Sequence, residues 1–597
     1  MMDKHVSSMF DRRSAMVITG GVIMTSVLVM RMLQMQVFQH RRYRTLAENN
    51  ASRFRINLPE RGRIMSDDGV ALARDESIFR IYIVPEETND LQGLLKIVQK
   101  ELSLRPRDME RIERRIARQR RFQPTIVREA ATWEQLAALR ISGLKGLHIE
   151  RGFSRRYPGG KLAAHVIGYV GGLESARHDR RAAITSPFFM TGQAGLERSF
   201  DSILSGVPGR SVINVDATGR IVGEDVSREV PAINGWDIRA TIVESIQKKM
   251  EDALEGHRAG CSVAIEIETG NIVAMASTPS FNPDSFRRDD GAEIMDELRR
   301  NPMKPFMNKA IEGLYPPGST FKIVVALAAL ESGAVLANER IFCPGHWEYG
   351  RHVYHCWERH GHGNVDFERA MATSCDVYYY QIALRIGIDA IRNMAMRLGL
   401  SQRILEDLPR EAVGVVPYRR WKERNIGSSW LHGDTIITGI GQGFVLSSCL
   451  QLAVMTARAV SNKKVIPRIV INPDDPGPRE FESMGFQASN VRILMNSLEK
   501  VMQTGGTAVW SAVNVGGRRM AGKTGTSQVR RISAEERATG IRTNEQLPWH
   551  LRNHGLFVGY APWNNPTYAV ATIIEHVGGS GPAAQTTAAI MRELLKS

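Results

Sequence analysis

The chain has 597 residues, of which 43% are hydrophobic and 24% charged, values typical of a globular protein with a large core. This composition excludes a wholly disordered chain, a collagen-like chain and a multi-span membrane protein. Lysine plus arginine number 78 against 63 aspartate plus glutamate, a formal charge of +15. That excess favours nucleic acid, a membrane surface or an anionic polymer as partner without deciding among them.

The first predicted element is a membrane anchor near the N-terminus. Ser14 to Met30 is a run of 17 residues without a charge, and apolar sequence resumes after Arg31 as far as Gln39. Roughly 20 apolar residues cross a bilayer core of about 30 Å, and an arginine near one end reaches the interface. We therefore expect an uncleaved transmembrane helix over residues 14–39 after a tail of residues 1–13, and the charges on either side do not orient the helix. A cleaved signal peptide and a buried core helix are the alternatives.

Residues 40–235 follow the anchor, beginning HRRYRTLAENN, and predict strands and turns with one basic helix. That helix, within residues 105–121, places Met109, Ile112 and Ile116 at helical spacing among arginines. We interpret its arginine face as solvated, with contact to an anionic phospholipid or polymer as the alternative.

From residue 236 the pattern changes to buried strands and helices. Cys261 to Thr278 predicts two buried strands joined by a turn, and Tyr568 to Ile574 predicts another strand. Thr320 to Leu330 is an apolar helix. Strands at both ends of a region with helices between them predict one large α/β domain over residues 236–597.

The stretch Tyr-Pro-Pro-Gly-Ser-Thr-Phe-Lys, which ends at Lys322, carries the first chemical motif. Ser319 is placed to begin a helix, and Lys322 lies one turn later on the same face. The helix beyond is apolar on every side, so we expect Lys322 to be buried and its amine to be neutral near pH 7. Such a pair is a nucleophile and its base. Alone, the motif is weak, because a serine that caps a surface helix gives the same pattern.

Two further motifs follow in order along the chain. Ser374-Cys375-Asp376 opens an aromatic helical segment, and Lys523-Thr524-Gly525-Thr526 lies on a predicted strand. Lys523 can bind a carboxylate, and Gly525 permits close approach of a substrate to the backbone. Ser-x-x-Lys, Ser-Asp-Asn and Lys-Thr-Gly are together the motif set of penicillin-binding proteins and class A β-lactamases.

The chain resembles the class B penicillin-binding proteins over nearly its whole length, and most closely the elongation-type penicillin-binding protein 2 family. Further matching segments are Arg61 to Ile64, Asp68 to Ala73, Gly192 to Glu197 with Asp201 and Leu204, Asn308 to Ile311, Gly433 to Thr435, Gly439 to Gly443 and Gly505 to Ala508. The resemblance implies an α/β, membrane-anchored fold. Residues 40–235 would form an elongated pedestal of the class B dimerisation type. Residues 236–597 would form a transpeptidase domain, an antiparallel sheet flanked by helices as in serine β-lactamases.

The resemblance also implies an activity, that of a D,D-transpeptidase. It would cross-link peptidoglycan stem peptides on the periplasmic side of the inner membrane during cell-wall elongation and cell-shape maintenance. Ser319 would attack the D-Ala-D-Ala carbonyl with Lys322 as base, and Ser374 would relay a proton to the leaving amine. Asp376 stands where most relatives have asparagine, a replacement frequent in the elongation branch.

The third motif would bind the substrate. Lys523 would position the proton relay, and Thr524, Gly525 and Thr526 would lie against the carboxylate end of the substrate. The backbone N–H groups of Ser319 and Thr526 would form the oxyanion hole, where each donor contributes roughly 3–4 kcal/mol in another serine hydrolase.

The resemblance names partners and leaves two other functions open. Partners would be the stem peptides, the lipid-linked precursor, β-lactams and a membrane glycosyltransferase of the shape, elongation, division and sporulation family. The basic charge then indicates contact with anionic membrane and polymer, and no nucleic acid is expected. One alternative is a D,D-carboxypeptidase or β-lactamase-type hydrolase, and the other is a non-catalytic β-lactam-binding scaffold or sensor.

Three of the five cysteines and one histidine form a candidate metal site. Cys343, Cys356, His362 and Cys375 are spaced C-x12-C-x5-H-x12-C, which supplies the ligands of a structural zinc ion without the usual short knuckle. We expect the ion to hold the Ser374 loop in place. A disulfide and unlinked buried thiols are the alternatives. Acyl transfer itself requires no cofactor.

Overall fold

The structure is a computed structural model that describes residues 3–39, 52–129, 131–141, 144–172, 188–215, 221–287, 290–472, 479–530, 536, 540 and 542–596. Its contacts divide the chain into two compact units. Unit 1 comprises Met1–Glu60, Phe79–Glu150 and Gly206–Asn234, and unit 2 comprises Arg61–Ile78, Arg151–Ser205 and Gly235–Ser597. Residues 40–51, the first part of the predicted pedestal, lie outside the described residues.

Helices and strands alternate along the described chain. The helices are α1 Asp3–Leu33, α2 Leu91–Glu101, α3 Pro106–Arg118, α4 Trp133–Ile141, α5 Ala164–Ile167, α6 Gly195–Ser199, α7 Asp201–Leu204, α8 Glu244–Leu254, α9 Gly291–Arg300, α10 Lys322–Glu331, α11 Phe367–Ala372, α12 Asp376–Arg397, α13 Arg419–Ile426, α14 His432–Thr438, α15 Cys449–Ser461, α16 Ala488–Lys500 and α17 Gly581–Leu594. The strands are β1 Ser52–Asn57, β2 Ile64–Met65, β3 Ala71–Ile83, β4 Thr125–Arg128, β5 Leu147–Arg156, β6 Val170–Gly172, β7 Met190–Gly192, β8 Gly209–Val215, β9 Ile221–Val230, β10 Ile238–Ala240, β11 Gly260–Glu266, β12 Ile272–Thr278, β13 Ile341–Cys343, β14 His346–Tyr349, β15 His352–His355, β16 Gly363–Val365, β17 Val470–Ile471, β18 Asn514–Val515, β19 Arg518–Arg519, β20 Ala521–Ser527, β21 His554–Ala561 and β22 Tyr568–Ile574.

The N-terminal segment is one long helix, as predicted. Helix α1 runs into a π-helical turn at Gln34–Phe38. The 25 residues Ser14–Phe38, which span the end of α1 and this turn, are long and apolar enough to cross a membrane. A helix suits this environment because it satisfies its own backbone hydrogen bonds.

Unit 1 contains an antiparallel sheet of order β1-β8-β9 and a small helical core. The predicted basic helix is present as α3, and it buries Met109 and Ile112 against Val98 of α2 and other apolar side chains. The periodicity argument for this helix is therefore confirmed. Helices α2 and α4 were not predicted, so the expectation of a single helix in this region was wrong. The apolar residues of α2 do recur at helical spacing, so the sequence carries a periodic signal for that helix.

Unit 2 is built on a five-stranded antiparallel sheet of order β12-β11-β22-β21-β20. Strands β11, β12 and β22 are those predicted from sequence, and nearly all of their residues are buried. Helices α8 and α17 pack on this sheet together, and α15 also packs on it. Both faces of these strands are covered by helices. Their sequences are therefore continuously apolar instead of alternating between apolar and polar residues. The predicted fold class, an antiparallel sheet flanked by helices, is confirmed.

A buried ion-pair cluster explains two of the matching segments, those at residues 61–64 and 192–197. The fully buried Glu197 accepts hydrogen bonds from the Nε atoms of Arg61 and Arg155, each at 2.7 Å. Arg61 also binds Asp201 at 2.7 Å, and Arg155 lies 3.3 Å from Asp75. Burial opposes ionisation of Glu197, but the two arginines outweigh it and lower its pKa. Removing one member would leave a buried charge unpaired, which typically costs 3–5 kcal/mol.

Glu251 of α8 is a half-buried carboxyl group without a cation beside it in the described part of the chain. Its Oε1 atom accepts hydrogen bonds from the Ala163 N–H and from Gln247 Nε2, both at 2.7 Å. Burial raises the pKa of Glu251 to about 7. The folded protein therefore holds this proton to a higher pH than the unfolded chain does.

We predict that the free energy of unfolding falls as the pH rises from about 4.5 to about 7, and that Glu251→Gln removes this part of the pH dependence. Between the two pKa values the folded state binds more protons, so raising the pH favours unfolding. A difference of this size between the pKa values of Glu251 in the folded and unfolded states corresponds to about 3 kcal/mol of unfolding free energy. Urea unfolding of the full-length protein at several pH values measures it. Glu244→Gln, a change in the first turn of the same helix, is the control, and equal slopes for all three proteins would contradict the prediction.

Candidate active site

Ser319 lies at the start of the buried helix α10, as predicted. It belongs to a 3-10 turn, Gly318–Phe321, that leads directly into Lys322–Glu331. Ser319 is partly exposed, whereas Lys322 to Leu330 are all buried. The serine side chain is therefore accessible at the end of a helix that is otherwise enclosed.

Close backbone approach places Ser319 against strand β20. Gly318 has a φ of +54°, and a Cβ atom there would lie 2.5 Å from the Thr526 carbonyl oxygen. A Cβ on Gly525 would lie 2.8 Å from Thr320 Cγ2. Both positions require glycine, because no larger residue fits between the turn and the strand.

The backbone at Thr526 is oriented as an oxyanion hole requires. Strand β20 is at the edge of the sheet, with Thr526 opposite Gly555 of β21. The Thr526 carbonyl accepts a hydrogen bond from Gln442 Nε2 at 2.9 Å, so it points away from β21. In an extended strand the N–H of a residue points to the same side as its C=O. The Thr526 N–H therefore faces the side of β20 on which Gly318 and Ser319 lie.

Lys322 is completely buried, which confirms that prediction, and its ammonium group is enclosed by acceptors. The Nζ atom donates to the Ser374 carbonyl at 2.9 Å, to Ser374 Oγ at 3.2 Å and to Asp376 Oδ1 at 2.8 Å. The Asp376 carboxylate beside this amine was not expected from the sequence. An ion pair of this kind offsets the desolvation cost of a buried ammonium.

The Ser374 backbone adopts a conformation unusual for serine, with a φ of +55°. Two groups hold its carbonyl: Lys322 Nζ and the indole Nε1 of Trp357, the latter at 3.1 Å. The backbone N–H of Trp357 also donates to Asp376 Oδ2 at 3.0 Å. Trp357 is thus a positioning residue that sequence reasoning missed. Its only sequence signal is its place next to Cys356.

Lys523 is the second buried amine of the site. Its Nζ atom has no hydrogen-bond partner among the described residues. Burial, and then the charge of Lys322, lower the pKa of Lys523 well below its ordinary value. The site therefore holds two amines and one carboxylate, that of Asp376. Asp376 pairs with Lys322, whereas the lowered pKa of Lys523 favours its uncharged form, which avoids an uncompensated buried charge.

The two threonines of the third motif differ in their surroundings. Thr524 is buried and shares a hydrogen bond of 2.8 Å with the hydroxyl of Thr507. Thr526 is partly exposed on the same strand. Thr507 lies in the segment Gly505 to Ala508 that the resemblance singled out without giving it a role.

The four predicted metal ligands come together in one cluster that includes Cys375, the residue after Ser374. The ligand atoms of Cys343, Cys356, His362 and Cys375 all lie within 4.8 Å of one another. All five cysteines of the chain are free. His362 Nδ1 is 3.7 Å from Cys343 Sγ and 3.5 Å from Cys356 Sγ. A tetrahedral zinc ion with ordinary bond lengths separates a sulfur and a nitrogen ligand by roughly 3.6 Å, so the set fits this metal.

Comparisons with known proteins agree with this geometry. The family described as "Penicillin binding protein transpeptidase domain" matches residues 260–596, and "Penicillin-binding Protein dimerisation domain" matches residues 56–240. Peptidoglycan D,D-transpeptidase MrdA of Acinetobacter baumannii is 32% identical over 94% of this chain and 84% of its own length.

Two solved structures are similar over most of their length. The crystal structure of Pseudomonas aeruginosa PBP2 in complex with WCK 5153 is 28% identical, with a TM-score of 0.66 over 91% of this chain and 97% of that one. A chain of a peptidoglycan synthase complex, described as coordinating polymerization and crosslinking, is 25% identical, with a TM-score of 0.69 over 98% of this chain and 97% of that one. The chain therefore belongs to the class B penicillin-binding proteins, in the elongation-type penicillin-binding protein 2 family.

Proposed function

We propose that the chain is a peptidoglycan D,D-transpeptidase that cross-links stem peptides through an acyl-enzyme on Ser319 during cell-wall elongation. The observation that carries this proposal is the convergence of three separate motifs at one accessible serine. Lys322 binds both Ser374 and Asp376, and Gly318 packs against Thr526. No single motif could have established this arrangement.

The first half of the reaction forms an ester. Ser319 Oγ attacks the carbonyl carbon between the two D-alanines, and its proton goes to the neutral amine of the Lys322 and Lys523 pair. The backbone N–H groups of Ser319 and Thr526 stabilise the oxyanion that develops. When the C–N bond breaks, the Ser374 hydroxyl delivers a proton to the departing D-alanine amine and takes one from Lys322, which donates to it, so the lysine pair returns to its starting charge.

The second half transfers the acyl group to an amine. The amino group of a neighbouring stem peptide attacks the ester carbonyl and loses its proton to the same groups, and Ser319 regains its own. A β-lactam would acylate Ser319 in the same way, because its ring amide occupies the place of the scissile bond. Thr524 and Thr526 would lie against the carboxylate that both ligands carry.

We predict that fluorescent penicillin labels the full-length protein and that Ser319→Ala abolishes labelling and cross-linking together. The measurement uses the protein in detergent with a membrane glycosyltransferase and lipid-linked precursor, followed by analysis of the muropeptides. Ser332→Ala, which changes a serine just beyond the other end of α10, is the control. Labelling without cross-linked product would favour the scaffold or sensor, and release of D-alanine without cross-links would favour the hydrolase.

We predict that Trp357→Phe slows acylation by penicillin about fivefold. The substitution keeps an aromatic ring but removes the indole N–H that holds the Ser374 carbonyl, and such a hydrogen bond contributes about 1 kcal/mol. Stopped-flow fluorescence gives the second-order rate constant. Trp510→Phe, at a tryptophan that is 92% exposed, is the matched control. Equal rates for the two variants would show that the Trp357 indole does not position Ser374.

The same proposal covers the membrane arrangement and the partner. Residues 14–39 would anchor the chain in the inner membrane, with residues 1–13 in the cytoplasm and the pedestal, 40–235, and the transpeptidase domain, 236–597, in the periplasm. The partner would be a glycosyltransferase of the shape, elongation, division and sporulation family. The similar chain in a peptidoglycan synthase complex supports this pairing.

We also propose that Cys343, Cys356, His362 and Cys375 hold a structural zinc ion. When bound, zinc would supply four strong bonds and no redox chemistry. Cys375 separates Ser374 from Asp376, and Cys356 precedes Trp357. Zinc bonds to these two cysteines would therefore restrict the motion of the neighbouring groups that surround the Lys322 ammonium.

We predict about one zinc ion per chain in native full-length protein, measured by inductively coupled plasma mass spectrometry. Cys343→Ser is expected to lose the metal and to lower the unfolding temperature, since ligand bonds form only in the folded state. Cys449→Ser, a buried cysteine outside the cluster, should keep its zinc. Native protein that contains no metal and still unfolds at an ordinary temperature would contradict the zinc proposal. It would favour the alternative of unlinked buried thiols.

A further inference from the structure

A cavity of about 630 Å³ lies in unit 2, and the reaction described above does not use it. Its lining includes Arg258, Lys304, Lys309, Trp549 and His554. This volume is in the range of sites that bind drug-sized molecules. Both apolar surface and polar groups are present, as such sites require.

Two elements of the active site form part of this cavity. Tyr315 lines it and stands four residues before Ser319. His554 also lines it and is paired in the sheet with Ser527, the residue that follows Thr526. The rings of Tyr315 and His554 are in edge contact, 5.5 Å apart. The lining therefore includes the residue of β21 that pairs with the last residue of β20.

The cavity carries an excess of positive charge. Within the described part of the chain, no carboxylate lies within 4.0 Å of the Arg258 guanidinium or the Lys304 ammonium. Arg258 instead lies 4.8 Å from the centre of the Trp549 ring. Lys309 Nζ donates to the Met303 carbonyl at 2.7 Å. Arg258 and Lys304 therefore make no ion pair with the described residues, whereas Glu575 lies near enough to Lys309 to interact with its charge.

The remaining ionisable groups do not cancel this charge. Glu575 is the acidic residue of the lining, and its carboxylate accepts a hydrogen bond from the Tyr315 hydroxyl at 2.7 Å. Burial lowers the pKa of His554 to about 4, so its ring is neutral at pH 7. Lys304 and His576 have φ values of +51° and +52°, backbone conformations that L-residues rarely adopt and that cluster at ligand sites.

We propose that this cavity is a binding subsite for a carboxylate-bearing part of the stem peptide, away from the bond cleaved at Ser319. The inference rests on the proposed transpeptidase function and adds to it a source of specificity for the peptide. A peptide suits the cavity better than an inorganic anion because the Trp549 ring and the methionine side chains offer apolar contact beside the cations. Arginine and lysine then bind its carboxylates.

The direct test is binding of a probe that lacks the reactive end. The probe is a synthetic stem tripeptide without its two D-alanines, and its control is the same tripeptide with every carboxylate amidated. Isothermal titration calorimetry on the full-length protein should show binding of the acidic probe only. The double variant Arg258→Glu/Lys304→Glu should weaken binding at least tenfold, whereas Lys248→Glu, on the exposed face of α8, should not. Equal binding of the amidated probe, or by the double variant, would overturn the inference.

Penicillin acylation of the same samples separates this inference from the proposed function. Penicillin is too short to need the cavity, so labelled protein that fails to bind the tripeptide overturns the subsite alone. Protein that is not labelled by penicillin overturns the proposed function instead. Binding to protein already acylated by penicillin would support a site distinct from the one that penicillin occupies, and its loss there would show that the tripeptide enters the penicillin site.

Discussion

The buried ion pair between Lys322 and Asp376 is the interaction on which the rest of the site depends. A fully buried ammonium needs a partner, and Asp376 supplies it from the start of helix α12. The same carboxylate also accepts the Trp357 N–H, and the same ammonium holds Ser374. Loss of either charge would leave the other unpaired. Loss of Asp376 would also release the Trp357 N–H, and loss of Lys322 would release Ser374.

Glycine provides the second constraint, which is steric. Gly318 and Gly525 let the turn that carries Ser319 touch strand β20, where each Cβ atom would collide with a neighbour. The oxyanion hole requires this contact, because its two N–H groups come from different elements. A third glycine, Gly441, supports the arrangement: its carbonyl accepts the Gly318 N–H at 2.9 Å. Backbone contacts, rather than side chains alone, define the catalytic geometry.

Two candidate regions each include a residue next to the motif residues. The cysteine and histidine cluster contains Cys375, the neighbour of Ser374, and the cationic cavity is lined by His554, which pairs in the sheet with Ser527. In our proposals the first fixes the proton-transfer groups and the second selects the peptide. A transpeptidase must hold a long, charged substrate while excluding water from an ester. A single small pocket at the serine would not provide both.

The sequence by itself determined the strands β11, β12 and β22, the basic helix α3, the buried helix after Ser319 and the motif residues, because apolar periodicity and short motifs are local. It also named the four metal-site residues from spacing. The folded structure was needed to show the Asp376 carboxylate beside Lys322, the contacts of Trp357 and the cavity at Arg258. Each of these depends on contacts between residues far apart in the chain, and a local pattern carries no information about which distant groups will meet.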